Sequence, residues 1–256
     1  MSFVIAIVPI SPMRSEASHR AEMVSQLLFG ETAKVLASTK DFTKIQCIYD
    51  DYIGWCQTSQ LAAIPEALLN NNNNVLTANY LSEITCNVAS MQIPMGCPIG
   101  LLQHGQTQIG NDHFSVEVSL SQPSTEAINE AAIKAIAHSY LNTAYLWGGK
   151  SIFGIDCSGF TQQVYRSLGK ALPRDAYQQA ALGEVVGFLQ EAKCGDLAFF
   201  DNAEGKITHT GLMLDNATII HASGKVRIDS IDNMGIINKT TSERTHQLRI
   251  IKRYFL

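Results

Sequence analysis

The chain has 256 residues, 46% of them apolar, and its 19 Lys+Arg against 23 Asp+Glu leave a formal charge of −4. That is the composition of a folded globular protein with room for one large or two to three small domains, and it argues against a disordered chain. A near-neutral balance without a Lys/Arg run also argues against a nucleic-acid partner, which needs clustered cations at the phosphates.

The first apolar stretch, Phe3 to Ile10, has no basic flank or small-residue cleavage site and is too short to span a bilayer. It is read as a strand, with neither membrane insertion nor export expected. Cysteines 47, 56, 86, 97, 157 and 194 form no C-x-x-C pair, so free thiols in a reducing cytoplasm are expected.

From Phe3 to about Leu61, β-rich runs such as Phe3–Val8, Lys34–Ala37 and Lys44–Tyr49 alternate with polar turns, which predicts a small barrel over residues 1–65. Within it, Ala21, Val24, Leu27 and Leu28 recur at helical spacing and predict a short helix or turn over Ser18–Phe29. The asparagine run Asn70–Asn74 reads as a surface loop. Residues 66–120 are expected to form a second small β-rich unit from Asn87–Ile93, Gly100–His104 and His113–Leu120. Beyond Ser121 the pattern turns helical, starting at Ser124, with Ile128, Ala132, Ile133, Ile136 and Tyr140 on one stripe, so a third domain is placed at residues 121–256. A second helix is predicted from about Asp156, with Phe160, Val164 and Leu168 on one face and Gly169 at its end. Strands are expected at Asp196–Phe200, Ile207–Leu214, Thr218–Ser223 and Leu248–Tyr254. Helices followed by sequential strands make this an α+β domain with antiparallel pairing.

Cys157 falls on the first turn of the helix predicted from Asp156. Unpaired N–H groups and the positive end of the helix dipole favour a thiolate there, so a depressed thiol pKa is expected. A thiolate nucleophile needs a base, and His209 and His221 lie on the two strand-like runs that follow. If these strands form a hairpin, a two-residue loop at Asp215–Asn216 would turn the two rings to opposite faces. A three-residue loop, Asp215 to Ala217, sets His221 opposite Gly211 and His209 opposite Ser223, so both rings share one face. Asn216 or Ala217 would then take a left-handed conformation.

The blocks Tyr145, Gly148–Gly149, Asp156–Phe160, Pro173–Asp175, Gly195–Phe200, His209–Gly211 and His221–Ser223 resemble, in order and spacing, the NlpC-type cysteine peptidases, which cleave bacterial cell-wall peptides. The resemblance covers residues 125–256. It implies a papain-like α+β domain, with Cys157 as nucleophile, His209 as base, His221 as the polar third member and Tyr145 beside the oxyanion position. One departure is Cys194, where the family often has proline. Ala21–Glu31 and Asp51–Trp55 look like the bacterial SH3-like modules that precede this domain in cytoplasmic members and help wall off one end of the substrate site. The implied reaction is hydrolysis of the γ-D-glutamyl bond to diaminopimelate or lysine in murein peptides that begin L-Ala-γ-D-Glu. Asp175, Glu22 and Tyr52 fall on segments resembling the amine-recognition elements, while Ser158 and Trp147 are placed among the substrate-binding residues.

Two other readings exist: a wall-peptide binding module without catalysis, which would not need the Cys157, His209 and His221 set, and a zinc site on those three residues, which lacks a fourth ligand nearby in sequence. No metal and no cofactor are expected. His19, His104, His113, His138 and His246 read as surface or hydrogen-bonded histidines, Cys47, Cys56, Cys86, Cys97 and Cys194 as small hydrophobes, and Asp196 as a turn-capping carboxylate.

Overall fold

The computed structural model describes residues 2–71, 75–102, 105–116, 120–121 and 128–255. The chain forms two compact units, one made of Met1–Thr125 and Trp147–Ile152, the other of Glu126–Leu146 and Phe153–Leu256. His104 and the start expected at Ser124 lie outside the described residues.

In the first unit, β1 (Phe3–Ala6), β2 (Ile10–Arg14), β3 (Met23–Leu28), β4 (Thr32–Ser38), β5 (Phe42–Cys47), β6 (Ile53–Gln57) and β7 (Leu61–Ile64) form an antiparallel sheet in the order β3-β2-β6-β5-β4-β1-β7. The helix or turn expected over Ser18–Phe29 is a turn over its first residues and then strand β3 from Met23 to Leu28, with no helix. Its helix-like spacing arises because both faces are covered: Leu27 packs with Val4, Met13, Ile45 and Cys56, while Leu28 and Phe29 pack into a second cluster with Phe3 and Ile5. Burial on both faces removes the alternation by which a half-exposed strand is recognised.

That second cluster also takes in Val75, Ile84, Ile93, Ile109 and Phe114, so residues 1–65 and 66–120 share one core. The latter stretch adds β8 (Leu81–Cys86), β9 (Ala89–Pro94), β10 (Gln106–Ile109) and β11 (Asp112–Val116) in the order β9-β8-β11-β10. Gly100–Leu102, expected as strand, is a 3-10 turn closed by Leu102 N–H to the Ile99 carbonyl at 2.8 Å, which buries both side chains on one side. The segment Trp147–Ile152 is stitched into this unit. The Lys150 backbone N–H donates to Gln26 Oε1 at 2.9 Å, and its ammonium meets Glu31 Oε1 at 3.0 Å with both side chains 1% exposed. Gly148, at φ 74°, passes so close to Met23 that a Cβ would lie 2.3 Å from its carbonyl oxygen, a site only glycine fills.

The second unit contains α1 (Glu130–Ser139), α2 (Cys157–Ser167) and α3 (Ala176–Ala180), with a sheet of β12 (Glu184–Val186), β13 (Leu197–Asp201), β14 (Ile207–Met213), β15 (Thr218–Ser223), β16 (Lys225–Asp232), β17 (Gly235–Ile237) and β18 (Arg244–Arg253). Helix α1 is capped by Asn129, whose side chain accepts the Ala132 N–H. Only Ile133, Ala137 and Tyr140 of its stripe region are fully buried. The strand order is β12-β18-β13-β14-β15-β16-β17, and β17 pairs back onto β18, closing six strands into a barrel. Ala198, Phe200, Met213, Ile219, Ile231, Ile236 and Ile251 share one apolar core. Arg253 clasps the buried Asp196 carboxylate at 2.8 and 2.7 Å, while Asp196 also accepts the Lys193 N–H. The α+β class and the helices followed by antiparallel strands expected for the catalytic half are as observed, but the expectation did not include β16, β17 or the closure into a barrel, and β18 begins four residues earlier than Leu248. Both differences matter at the site.

Candidate active site

Asp156 caps helix α2, accepting the Gly159 N–H at 2.7 Å, and so presents Cys157 as the first helical residue. The cap is held from outside. Arg174, 1% exposed, reaches both Asp156 oxygens at 3.0 and 2.6 Å and also donates to Ser158 Oγ at 3.0 Å. Gln179 adds two donations, to the Ser158 and Pro173 carbonyls. The Pro173–Asp175 block thus fastens the start of the cysteine helix. Asp175 stands at the N-cap of α3, with its backbone N–H donating to Gln178 Oε1.

The expected depression of the Cys157 thiol pKa is not met. Burial pushes it up to about 12, and the Asp156 carboxylate acts in the same direction. The N–H groups of Thr210 and Ser158 and the Arg174 guanidinium oppose this without overcoming it. Removing a sulfur anion from water outweighs the helix terminus at this depth, so the resting group is a thiol. The Thr210 hydrogen bond also ties the sulfur to the strand that carries His209. Tyr145 is set by its N–H donating to the Gly224 carbonyl at 3.0 Å and by a bridge to Ile155. Its hydroxyl is pushed up to about 12 by burial and then by Cys157 and Asp156, so it stays protonated and able to donate.

Strands β14 and β15 pair with Leu212 opposite Ile220 and Met213 opposite Ile219. This is the register of a three-residue loop, and it puts His209 and His221 on one face as expected. The left-handed residue does not occur: neither Asn216 nor Ala217 has positive φ, because Asp215 closes the turn instead, accepting the Ala217 and Thr218 N–H groups and the Thr218 hydroxyl. Gly211 faces His221, whose Cβ would be 2.8 Å from a Cβ at 211. His209 Nε2 then lies 2.8 Å from His221 Nδ1.

Sequence reasoning missed the next member. Asp229 on β16, opposite Ile219 and diagonal to His221, receives His221 Nε2 at 3.0 Å on Oδ2. Its carboxyl is held well below the usual range by His221, the Lys239 N–H and Arg227, against its own desolvation. An ionised carboxylate can only accept, so His221 places an N–H on Nε2, and as a neutral ring it turns the Nδ1 lone pair to His209. His209 must therefore donate from Nε2, leaving Nδ1 unprotonated, the form a base needs. Burial, His221 and His246 hold the His209 pKa well below its ordinary value, which keeps the ring neutral.

His246, read from sequence as a bland histidine, is also at this site. Its ring stacks on His209 with centroids 4.0 Å apart, and burial lowers its pKa to about 4. The early start of β18 is what carries it there, a boundary that the polar run Arg244–Gln247 concealed. Among the described residues the three-ligand cluster is His209, His221 and His246, not the Cys157, His209 and His221 set weighed from sequence. His19, His113 and His138 lie elsewhere, His138 bonding the Lys134 carbonyl of its own helix.

In the first unit, Glu22 and Trp147, singled out separately, meet: the indole N–H donates to Glu22 Oε1 at 2.6 Å, with Trp147 61% exposed. Tyr52 is half-buried against the Val4, Leu27 and Cys56 cluster.

Residues 142–245 match the NlpC/P60 family model, and residues 13–61 match the model of the bacterial dipeptidyl-peptidase Sh3 domain. The chain therefore carries an NlpC/P60 domain together with a bacterial Sh3 domain. A protein named gamma-D-glutamyl-L-lysine dipeptidyl-peptidase from Bacillus subtilis (strain 168) is 45% identical over 85 residues, 32% of this chain and 28% of the relative. Its namesake from Bacillus cereus is 34% identical over 112 residues, 42% of this chain and 33% of the relative. The matched stretches are thus a third or less of either relative's length. A crystal structure of an NlpC/P60 family protein from Bacillus cereus ATCC 10987 superposes with a TM-score of 0.83 at 19% identity, covering 100% of both chains. An NlpC/P60 endopeptidase from Photobacterium damselae subsp. piscicida gives 0.68 at 17% identity, over 97% of this chain and 65% of its own. Both likenesses are of fold.

Proposed function

We propose that this protein is a cysteine peptidase that hydrolyses the γ-D-glutamyl bond to the diamino acid of murein peptides beginning with a free L-Ala. The observation that carries the reading is the ordered series Asp229, His221, His209, in which each hydrogen bond dictates the next and the last ring is left with a basic Nδ1. With the thiol pKa high and the imidazole pKa low, a standing thiolate–imidazolium pair is disfavoured. The proton instead passes from Cys157 Sγ to His209 Nδ1 as sulfur bonds to the substrate carbonyl carbon. The carbonyl oxygen takes the negative charge, with Tyr145 O–H as a donor. Collapse of the adduct breaks the carbon–nitrogen bond as His209 returns the proton to the leaving amine. Water, deprotonated by the same ring, then hydrolyses the thioester and restores the thiol.

The substrate class is supported by the names of the two relatives, since a dipeptidyl-peptidase removes two residues from a free end. On the sequence resemblance, Asp175, Glu22 and Tyr52 are the groups proposed to read the amine. Charge-assisted hydrogen bonds of that kind are worth roughly 1.5–3 kcal/mol each. Restriction to short peptides with free ends would suit recycling of wall fragments in the cytoplasm. The test is mass spectrometry of L-Ala-γ-D-Glu-diaminopimelate, its lysine analogue and their N-acetylated forms after incubation with the wild type and Cys157→Ala. Release of L-Ala-γ-D-Glu by the wild type alone, with at least about tenfold lower kcat/KM on acetylated peptide (about 1.4 kcal/mol), is expected. Binding without cleavage would favour the module reading, and equal rates on both forms would remove the amine requirement.

A further inference from the structure

His246 takes no part in the proton series just described, yet it is stacked on the base, and with His209 and His221 it offers one ring nitrogen each, all within 4.8 Å of one another. We propose that His209, His221 and His246 form a binding site for a single borderline transition-metal ion, Zn(II) above all, and that filling it switches the peptidase off. Only the consequence for activity rests on the proposed function; the binding does not.

Tetrahedral zinc bound to imidazole at about 2.0–2.1 Å places its ligand nitrogens roughly 3.3–3.4 Å apart. The His209–His221 pair, now at 2.8 Å, must open by about half an ångström, and the widest separation must close by less than about 1.5 Å. His209 and His246 must also turn out of their near-parallel stack, now 24° between ring planes, so that both lone pairs converge on the ion. His221 is already prepared: its Nδ1 lone pair points inward and its Nε2–H is held by the Asp229 carboxylate, the outer-shell pairing that orients zinc-binding histidines. His246 has Nδ1 engaged with the Thr245 hydroxyl at 2.8 Å, which leaves Nε2 for a metal. Being only partly buried, where His209 and His221 are 6% and 1% exposed, it also offers the route in.

The chemistry of inhibition follows from the tautomer. To bind through Nε2, His209 must move that proton to Nδ1, the nitrogen whose lone pair would otherwise accept the Cys157 proton. Three metal–nitrogen bonds form, five of the six waters of the aqua ion leave, one water remains in the fourth position, and no proton is lost overall. The loaded enzyme then has an intact thiol and no base.

The test uses the full chain, stripped with a chelator, with Zn(II) and Co(II) as probes. Calorimetry should show one Zn(II) per chain, and tripeptide hydrolysis should fall in step with occupancy and return on adding EDTA. The Co(II) protein should show tetrahedral d–d absorption without a thiolate-to-cobalt charge-transfer band, and Cys157→Ala should bind Zn(II) with unchanged affinity. His246→Phe keeps a ring against His209 but removes the ligand. It should bind Zn(II) at least tenfold more weakly and escape inhibition at concentrations that silence the wild type. His246→Leu provides the same measurement if Phe is not accommodated. Asp229→Asn should weaken binding by about 10–100-fold, as outer-shell losses do. Undiminished zinc affinity in both His246 variants, or a cobalt–thiolate band that Cys157→Ala abolishes, would overturn the assignment. Because binding is read without substrate, an enzyme that fails to cleave the tripeptide would refute the proposed function while leaving the metal site to be decided by its own measurements.

Discussion

Replacing Asp229 by asparagine tests the hydrogen-bond series at its root. In the native protein Oδ2 accepts from His221 Nε2 at 3.0 Å and lies 2.8 Å from Arg227 Nε, while Oδ1 accepts from the Lys239 N–H and an Arg227 terminal nitrogen, both at 2.9 Å. Three hydrogen-bond donors thus point at two oxygens, Arg227 Nε making no hydrogen bond, so an amide NH2 meets a donor whichever way it is turned. On the Oδ1 side neither the peptide N–H nor the guanidinium can give way. On the Oδ2 side His221 can, by moving its proton to Nδ1. The amide nitrogen therefore settles toward His221, whose Nδ1–H then confronts His209 Nε2–H. His209 relieves this only by becoming the Nδ1–H tautomer, which cannot accept the thiol proton. A carboxylate-to-amide change directly behind a catalytic histidine lowers kcat by about 10⁴ through the same tautomer error. Here the error passes through one additional ring that can tilt, so a loss of about 10²–10³ is expected, roughly 2.7–4 kcal/mol of transition-state stabilisation. The assay is kcat and KM on L-Ala-γ-D-Glu-diaminopimelate, with circular dichroism confirming an unchanged fold. KM should move little, because Asp229 lies behind two rings from the reacting atoms. A variant retaining more than a third of wild-type kcat would show that the carboxylate does not set the tautomer of the base.

His221→Gln should keep part of the activity that Cys157→Ala and His209→Ala lose entirely, since its amide can accept from His209 and donate to Asp229; equal loss by kcat would contradict an orienting role. Gly211→Ala should lower kcat while leaving the barrel folded, because the new Cβ would displace His221 from 2.8 Å; unchanged activity would mean that His221 tolerates the shift. Lys150→Met strands the Glu31 carboxylate at 1% exposure and should cost about 3–5 kcal/mol in chemical denaturation, with Lys150→Met/Glu31→Gln recovering much of it; a double variant no more stable than the single would oppose this. His209 and His246 have folded pKa values below the unfolded 6.5, lowered by burial and, for His246, to about 4. The unfolded chain binds more protons below pH 6.5, so stability should be full above that pH and fall steadily as the pH drops below it. A melting temperature flat from pH 7 to 5 in the wild type would refute that sign.

Local chemistry written into short segments was legible without coordinates. Asp156 before Cys157 is a cap before a helix, Gly169 ends that helix, and the lengths of the runs around Asp215–Ala217 left one loop that puts two histidines on one face. Each of these depends on interactions between residues a few positions apart. Strand β3 was misread because its second face is covered by residues up to Phe114, and alternation is lost when both faces are buried. The Cys157 pKa was misjudged because burial, set by the whole fold, outweighs the helix terminus next to it. Asp229 and His246 were missed for a related reason: a carboxylate on an unrecognised strand and a histidine in a polar run carry no mark of what lies across a barrel. Pairing of β15 with the unrecognised β16 supplies Asp229, and closing β17 onto β18 supplies His246; it is that closure, a long-range pairing no local pattern encodes, that adds a stacked imidazole to a base already backed by a carboxylate-held ring.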